Sequence, residues 1–156
     1  MEIRFRATGQ IMTDQEFNRT VCTLPITPEL LEQYGADPVL EGPQATTTPP
    51  YEYSYRNGVE QIDGKWYTKY SVGPVFTDNE QGTAAEQMAA YKAQKDAEQA
   101  TSVRNQRTEK LKDCDWTQLA DSPVDKAAWA TYRQALRDVP TQAGFPWEVQ
   151  WPSQPE

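Results

Sequence analysis

No proline or glycine interrupts the chain from Thr83 to Asp113, and no other feature of the sequence limits its fold as strongly. Thr83-Ala84-Ala85-Glu86 has capping-box spacing, in which the threonine hydroxyl and the glutamate carboxylate each accept a backbone amide at a helix start. The stretch predicts one helix over 84–113, roughly 45 Å long. That is too long to pack along a single small globule without projecting from it. Alternating steps of three and four residues pick out Ala90, Ala93, Ala97, Ala100, Arg104, Arg107, Leu111 and Cys114 as a seam. Alanine permits close approach but buries little apolar area. The seam does not support a self-sufficient coiled coil. The expectation is a helix that packs against other elements, of its own chain or of sister subunits, with Arg104 and Arg107 solvated.

Ahead of that helix the pattern is β-rich. Met1, Ile3, Phe5 and Ala7 alternate with charged residues, which predicts a half-buried strand over 1–7 that ends near Gly9. Thr13-Asp14-Gln15-Glu16 has capping-box spacing for a short helical turn through Phe17. Thr27 before Pro28 predicts an N-cap followed by proline at the first helical position, and Gly35 stops that helix. Residues 36–50 carry Pro38, Pro43, Pro49, Pro50 and three consecutive threonines, so they read as irregular: a surface loop, or an arm that wraps a partner. From Tyr51 alternation returns, and Asn57-Gly58 and Asp63-Gly64 are both hairpin-turn signals. The reading is a β-meander with strands at 51–56, 59–62 and 66–72 and a short fourth at Val75-Phe76. Thr77 to Gly82 is a polar hinge. The fold class expected is α+β. A small antiparallel β domain, sheet or sandwich, occupies 1–78, and a helical hairpin domain with an extended, Trp-rich tail occupies 79–156.

Composition narrows the function. The chain has no histidine, which removes imidazole bases, Ser-His and Cys-His nucleophile pairs and His-ligated metals. It has no glycine-rich phosphate loop, and no pair of carboxylates stands out among its 23 acidic residues. No catalytic residue, metal site or cofactor is expected. A net charge of −8 argues against a nucleic-acid partner. No apolar run approaches the roughly 20 residues of a bilayer span, and the charged start does not read as a signal peptide, so a cytosolic protein is expected. Cys22 and Cys114 read as free, buried thiols rather than a disulfide. Hydrophobic residues are only 37% of the chain while aromatics reach 11%, so a few large rings must carry the burial, and such small domains often complete their cores with a partner.

Most of those rings fall late. Four of the five tryptophans, at 116, 129, 147 and 151, follow the long helix. Ser122-Pro123-Val124-Asp125 predicts the next helix start, with Ser122 as N-cap. Trp129, Tyr132, Leu136 and Val139 line one face of that helix, and Pro140 ends it. The tail from Gly144 to Pro152 reads as extended, with Trp147, Val149 and Trp151 on one side. The core candidates are Leu111, Cys114, Trp116, Leu119, Trp129, Tyr132, Leu136, Phe145, Trp147 and Trp151, in a core that closes either within one chain or between chains.

Three runs carry a further signal: Cys114-Asp115-Trp116-Thr117-Gln118-Leu119, Lys126 to Pro140 (KAAWATYRQALRDVP), and Gly144-Phe145-Pro146-Trp147 with Trp151-Pro152. In order and spacing this segment, about a quarter of the chain, closely resembles the C-terminal domain of phage tail assembly chaperone proteins. It departs from that pattern at Ala120, where proline is usual, and in the polar stretch Thr108-Glu109-Lys110. The resemblance implies a protein encoded beside a tail-fibre gene that helps the trimeric fibre fold and assemble in the host-cell cytoplasm, with retention on the virion tail left open. It also implies a trimeric fibre partner and a homotrimer in the fibre complex. On that reading the helical domain would oligomerise through the core candidates, and the β domain would grip the fibre through Tyr51, Tyr53, Tyr55, Trp66, Tyr67 and Tyr70. Alternation must send half of those rings into the sheet. The competing expectations are a carbohydrate-binding module, stacking glycans on the same rings, and a structural component of the fibre or baseplate.

Overall fold

The alternation at the start of the chain forms β1 (Glu2–Phe5) in the computed structural model, which describes residues 1–155. β2 (Ile11–Thr13) returns antiparallel beside it. Thr13 then caps α1 (Asp14–Thr20): its hydroxyl accepts from Glu16 N at 3.2 Å, and the Glu16 carboxylate accepts from Thr13 N at 2.9 Å. Thr27 likewise caps α2 (Pro28–Gln33), with Pro28 in the first turn. Gly35, at φ +60°, follows it. The helices close one end of a five-stranded sheet over a core of Ile3, Phe17, Leu31 and Ala36. Phe17 stacks on Phe5 and meets the edge of Tyr34. Arg6 ties α2 to the sheet by pairing with both Glu32 and Asp37.

The α+β class holds, but the sheet is mixed rather than wholly antiparallel. Its order is β2-β1-β3-β5-β4. β3 (Ala36–Leu40) lies inside the segment expected to be irregular and pairs in parallel with β5 (Lys65–Gly73). Pro38 lacks the amide a central strand needs, yet the β3–β5 register covers only Val39 and Leu40, beyond the proline. After β3 the chain stays on the sheet: Gly42 N donates to the Thr68 hydroxyl at 2.7 Å and Ala45 N to the Ser54 hydroxyl at 3.1 Å. Only glycine allows this approach, since a Cβ at residue 42 would lie 2.0 Å from the Thr68 carbonyl oxygen.

The meander is a single hairpin. β4 (Tyr53–Ile62) runs straight through Asn57-Gly58, which forms a bulge between Arg56 and Val59. Asp63-Gly64 alone makes the turn, with φ of 48° and 78° as a two-residue hairpin requires. A bulge and a tight turn both use glycine's positive φ, and here the bulge wins because it lets one long strand pair with β5 along its whole length. Val75-Phe76 forms no strand.

Contacts divide the chain into two units, Met1–Val75 and Phe76–Glu156. In the second, α3 (Ala84–Asp113) forms at its expected length, with the Thr83–Glu86 capping box closed at its start. The residues before it fold onto that start. Asp78 accepts from Ala84 N, Gln87 donates to the carbonyls of Thr77 and Gly82, and Phe76 lies against Tyr91. A 3-10 turn (Asp115–Gln118) leads to α4 (Lys126–Asp138). That helix starts later than expected. Asp125 is the N-cap, not Ser122, because its carboxylate accepts the amides of both Ala127 and Ala128 and a charged acceptor holds two donors better than a hydroxyl. Nor is the tail simply extended. Glu148 N donates to Gly144 O at 2.7 Å, a turn that needs glycine because a Cβ at residue 144 would meet the Glu148 oxygen at 2.5 Å. The Gln142 side-chain amide then exchanges two hydrogen bonds with the backbone of Gln150, both 2.8 Å.

Candidate interaction surfaces

In the β unit, strand register assigns each aromatic candidate to a face. Tyr53 lies opposite Gly73, Tyr55 opposite Ser71, Glu60 opposite Tyr67 and Ile62 opposite Lys65, so Tyr53, Tyr55, Tyr67 and Ile62 share one face of the sheet. Leu40 joins them, since it stands opposite Tyr67 on β3. Gly73 makes room for the two tyrosines: a Cβ there would come within 2.9 Å of the Tyr55 ring and 3.0 Å of the Tyr53 ring. The two rings lie 6.2 Å apart and Tyr53 is 51% exposed. Leu40 and Ile62 are exposed as well. They were absent from the aromatic candidates because Leu40 sat in a presumed loop and Ile62 is aliphatic. The bulge shifts the alternation by one residue and so brings Ile62 to the tyrosine face, whereas period-two counting from Tyr53 would have put it on the other.

Trp66 and Tyr70 face the other way, with Thr68 and Arg56. The Arg4 guanidinium covers the Trp66 ring at 3.8 Å, and the Tyr70 hydroxyl donates to Glu41 at 2.6 Å. Arg56 pairs with Glu2 across this face, and that hydrogen-bonded carboxylate raises the arginine's pKa. A cavity of about 440 Å³ lies here, lined in part by Glu2, Glu41, Arg56, Thr68 and Tyr70. Tyr51 precedes β4 and is half-buried. None of the six aromatic candidates lies in the Ile3–Phe17 core.

The helical unit closes a core within one chain. Cys114, Trp129, Tyr132 and Leu136 are buried together, with Leu111, Val124 and Trp151 packed against them. Trp129 is 3% exposed and meets Tyr132 edge-on at 5.7 Å. Burial raises the Tyr132 phenol pKa. The other candidates fall at the rim: Trp116 is 48% exposed, Leu119 58%, and Trp147 is also exposed. Phe145 is half-buried under the Arg104 guanidinium. Arg133, which the sequence did not single out, joins α4 to the end of α3. It donates to Leu111 O at 2.8 Å, Cys114 Sγ at 3.0 Å and Asp115 Oδ1 at 2.7 Å. Burial works against its charge, but the hydrogen bonds to Asp115 and Cys114 outweigh this and leave its pKa raised. Cys22 and Cys114 are free thiols, Cys22 only half-buried.

No group of three or more metal-ligating side chains occurs among the described residues, and none of their helices is long and apolar enough to cross a membrane. The second half of α3, the Arg133-capped corner, α4 and the folded-back tail make one structural block. Compared with known families, that block is the part of the chain that finds a counterpart. Residues 100–156 match the phage tail assembly chaperone protein family. The chaperone match covers a little over a third of the chain and supports a part in phage tail assembly. It takes in the buried core and the exposed rim residues alike, and it leaves the β unit outside. Searches of curated proteins and of solved structures returned no match.

Proposed function

We propose that this protein is a tail-fibre assembly chaperone. It binds the distal part of the fibre, shields β-rich segments until they pair, and promotes correct folding and trimerisation. The observation that carries this reading is the family match over residues 100–156. Fibre tips are rich in strand edges and long-range pairings, which form slowly and aggregate when exposed. The β unit offers a surface suited to them: Tyr53, Tyr55, Tyr67, Leu40 and Ile62 on one face of its sheet. Tyr51, Trp66 and Tyr70 contribute from outside that face.

The helical unit holds three copies together in register with a three-chain fibre. Leu111, Cys114, Trp129, Tyr132, Leu136 and Trp151 shape it from within, the half-buried Phe145 lies beside them, and the exposed Trp116, Leu119 and Trp147 supply the contact. The protein acts in the host cytoplasm during assembly, as a binding protein without a catalytic step. Mass spectrometry of purified particles tests whether it stays on the virion. The glycan-binding alternative gains nothing specific, since its best platform, Trp66, already carries Arg4 on one ring face. Co-expression with the fibre encoded by the neighbouring gene is the direct test. Fibre that is equally soluble and trimeric without this protein overturns the reading.

A further inference from the structure

β4 is the outer strand of the sheet, and it is long. The opposite edge, β2, offers 3 residues, whereas β4 offers 10. A two-residue hairpin fixes which backbone groups turn outward. Its closing pair, Ile62 and Lys65, bonds inward, and alternation then leaves the N–H and C=O of Val59 and Gln61 pointing away from β5. Beyond the bulge, Tyr53 and Tyr55 stand opposite Gly73 and Ser71 in the inward set, so Ser54 and Arg56 point outward. Among the described residues no backbone partner meets β4 on that side.

The geometry points to strand addition at this edge, by an extended segment of a chain other than this one. Only an extended backbone matches a row of alternating donors and acceptors. The bulge at Asn57-Gly58 divides the row, so the segment pairs with Tyr53–Arg56 or with Val59–Ile62, and each arm accepts about four residues. The side chains fix its pattern. On the Tyr53–Arg56 arm Tyr53 and Tyr55 lie on one face and the polar Ser54 and Arg56 on the other, so a strand added there carries apolar residues at alternate positions on the tyrosine side. On the Val59–Ile62 arm Glu60 and Ile62 take the tyrosine side and Val59 and Gln61 the other, so a strand added there is mixed on both faces. A second copy is the poorer fit, because it would bring another net charge of −8 to the same edge. This inference rests on the chaperone reading and names the contact through which it operates.

The test uses the full chain and the tail-fibre protein from the neighbouring gene, co-expressed and purified together, with hydrogen exchange read at single amides. Strand addition predicts that Ser54 and Arg56, or Val59 and Gln61, gain at least about ten-fold protection in the complex. A proline at residue 61 removes an outward amide and spares the β4–β5 ladder, so Gln61→Pro is expected to weaken binding at least about ten-fold when the Val59–Ile62 arm is the one used. Ser54→Lys with Arg56→Pro is the equivalent pair for the other arm. Exchange of the free variants reports whether the hairpin is intact. A complex that forms with all four amides unprotected overturns strand addition and leaves the chaperone reading standing. Concentration-dependent protection of these amides in the chain alone makes the occupant a second copy and overturns it too. Absence of any complex overturns both readings.

Discussion

The Trp147 indole donates to the Asp96 carboxylate at 2.6 Å, across 51 positions of sequence. The bond fixes the tail to the middle of α3, with Gln99 reaching Pro146 O and Lys110 lying over the Trp151 ring further along the helix. Trp147→Phe keeps a ring in place and removes the donor. The expected loss is about 1 kcal/mol, because the pair is partly exposed. Urea unfolding followed by far-ultraviolet circular dichroism measures it, and an unchanged midpoint would mean that packing alone holds the tail.

Trp129 and Trp116 touch, with ring centres 6.1 Å apart, yet they should respond differently to truncation. Trp129 is core, so Trp129→Ala is expected to cost on the order of 3–5 kcal/mol and to unfold the helical unit while the β unit keeps its slow-exchanging amides. Trp129→Phe should cost much less, since Nε1 is buried without a partner and phenylalanine leaves no orphaned donor behind. Trp116→Ala should cost at most about 1 kcal/mol and instead reduce self-association, read by light scattering. Equal stability losses at the two positions would contradict this division of labour.

Gly42 tests whether the segment after β3 belongs to the sheet. A Cβ there would collide with the backbone of Thr68, which cannot step aside as a side-chain tip can. Gly42→Ala is expected to destabilise the β unit by about 1–3 kcal/mol and to expose the Ala45 amide to exchange. Retention of Ala45 protection would show that the segment is held without the Gly42–Thr68 contact.

Acid should weaken both units through their caps. The amides of Thr13 and Thr83 hold the carboxyls of Glu16 and Glu86 below their ordinary value of 4.5, and Arg6 does the same to Glu32. A carboxylate whose folded pKa is depressed contributes stability above its unfolded pKa and loses it as pH falls through the folded value. Thermal melts between neutral pH and about pH 3 should therefore be flat at first and decline below the unfolded value. Glu86→Gln should flatten the decline for the helical unit alone, and an unaltered profile in that variant would place the acid sensitivity elsewhere.

Local chemistry made much of this fold legible. The helix from Ala84 to Asp113 needed only the absence of breakers and a Thr–Glu capping box. The caps at Thr13 and Thr27, the turn at Asp63-Gly64 and the buried face of Trp129, Tyr132, Leu136 and Val139 followed from equally short-range rules. What escaped depends on partners distant in sequence. β3 is a strand because β1 and β5 flank it, which outweighs the penalty of Pro38. Asn57-Gly58 suits a turn or a bulge, and only the length of the β5 ladder decides between them. Tryptophan spacing could not separate the buried Trp129 from the exposed Trp116, because the difference is set by how α4 and the tail return to α3. The same holds for the aromatic hairpin, where alternation split the rings into two sets but could not say that Arg4 would cover Trp66 and leave Tyr53 bare.

Trp66 is the lone indole of the β unit, and the other four belong to the helical unit. The protein thus carries its own optical labels. Tryptophan emission from Trp66→Phe, excited at wavelengths that tyrosine does not absorb, would come from the helical unit only, and subtracting it from the parent spectrum isolates the β unit, so the order in which the two halves melt or engage a partner can be followed in one intact chain without an attached dye.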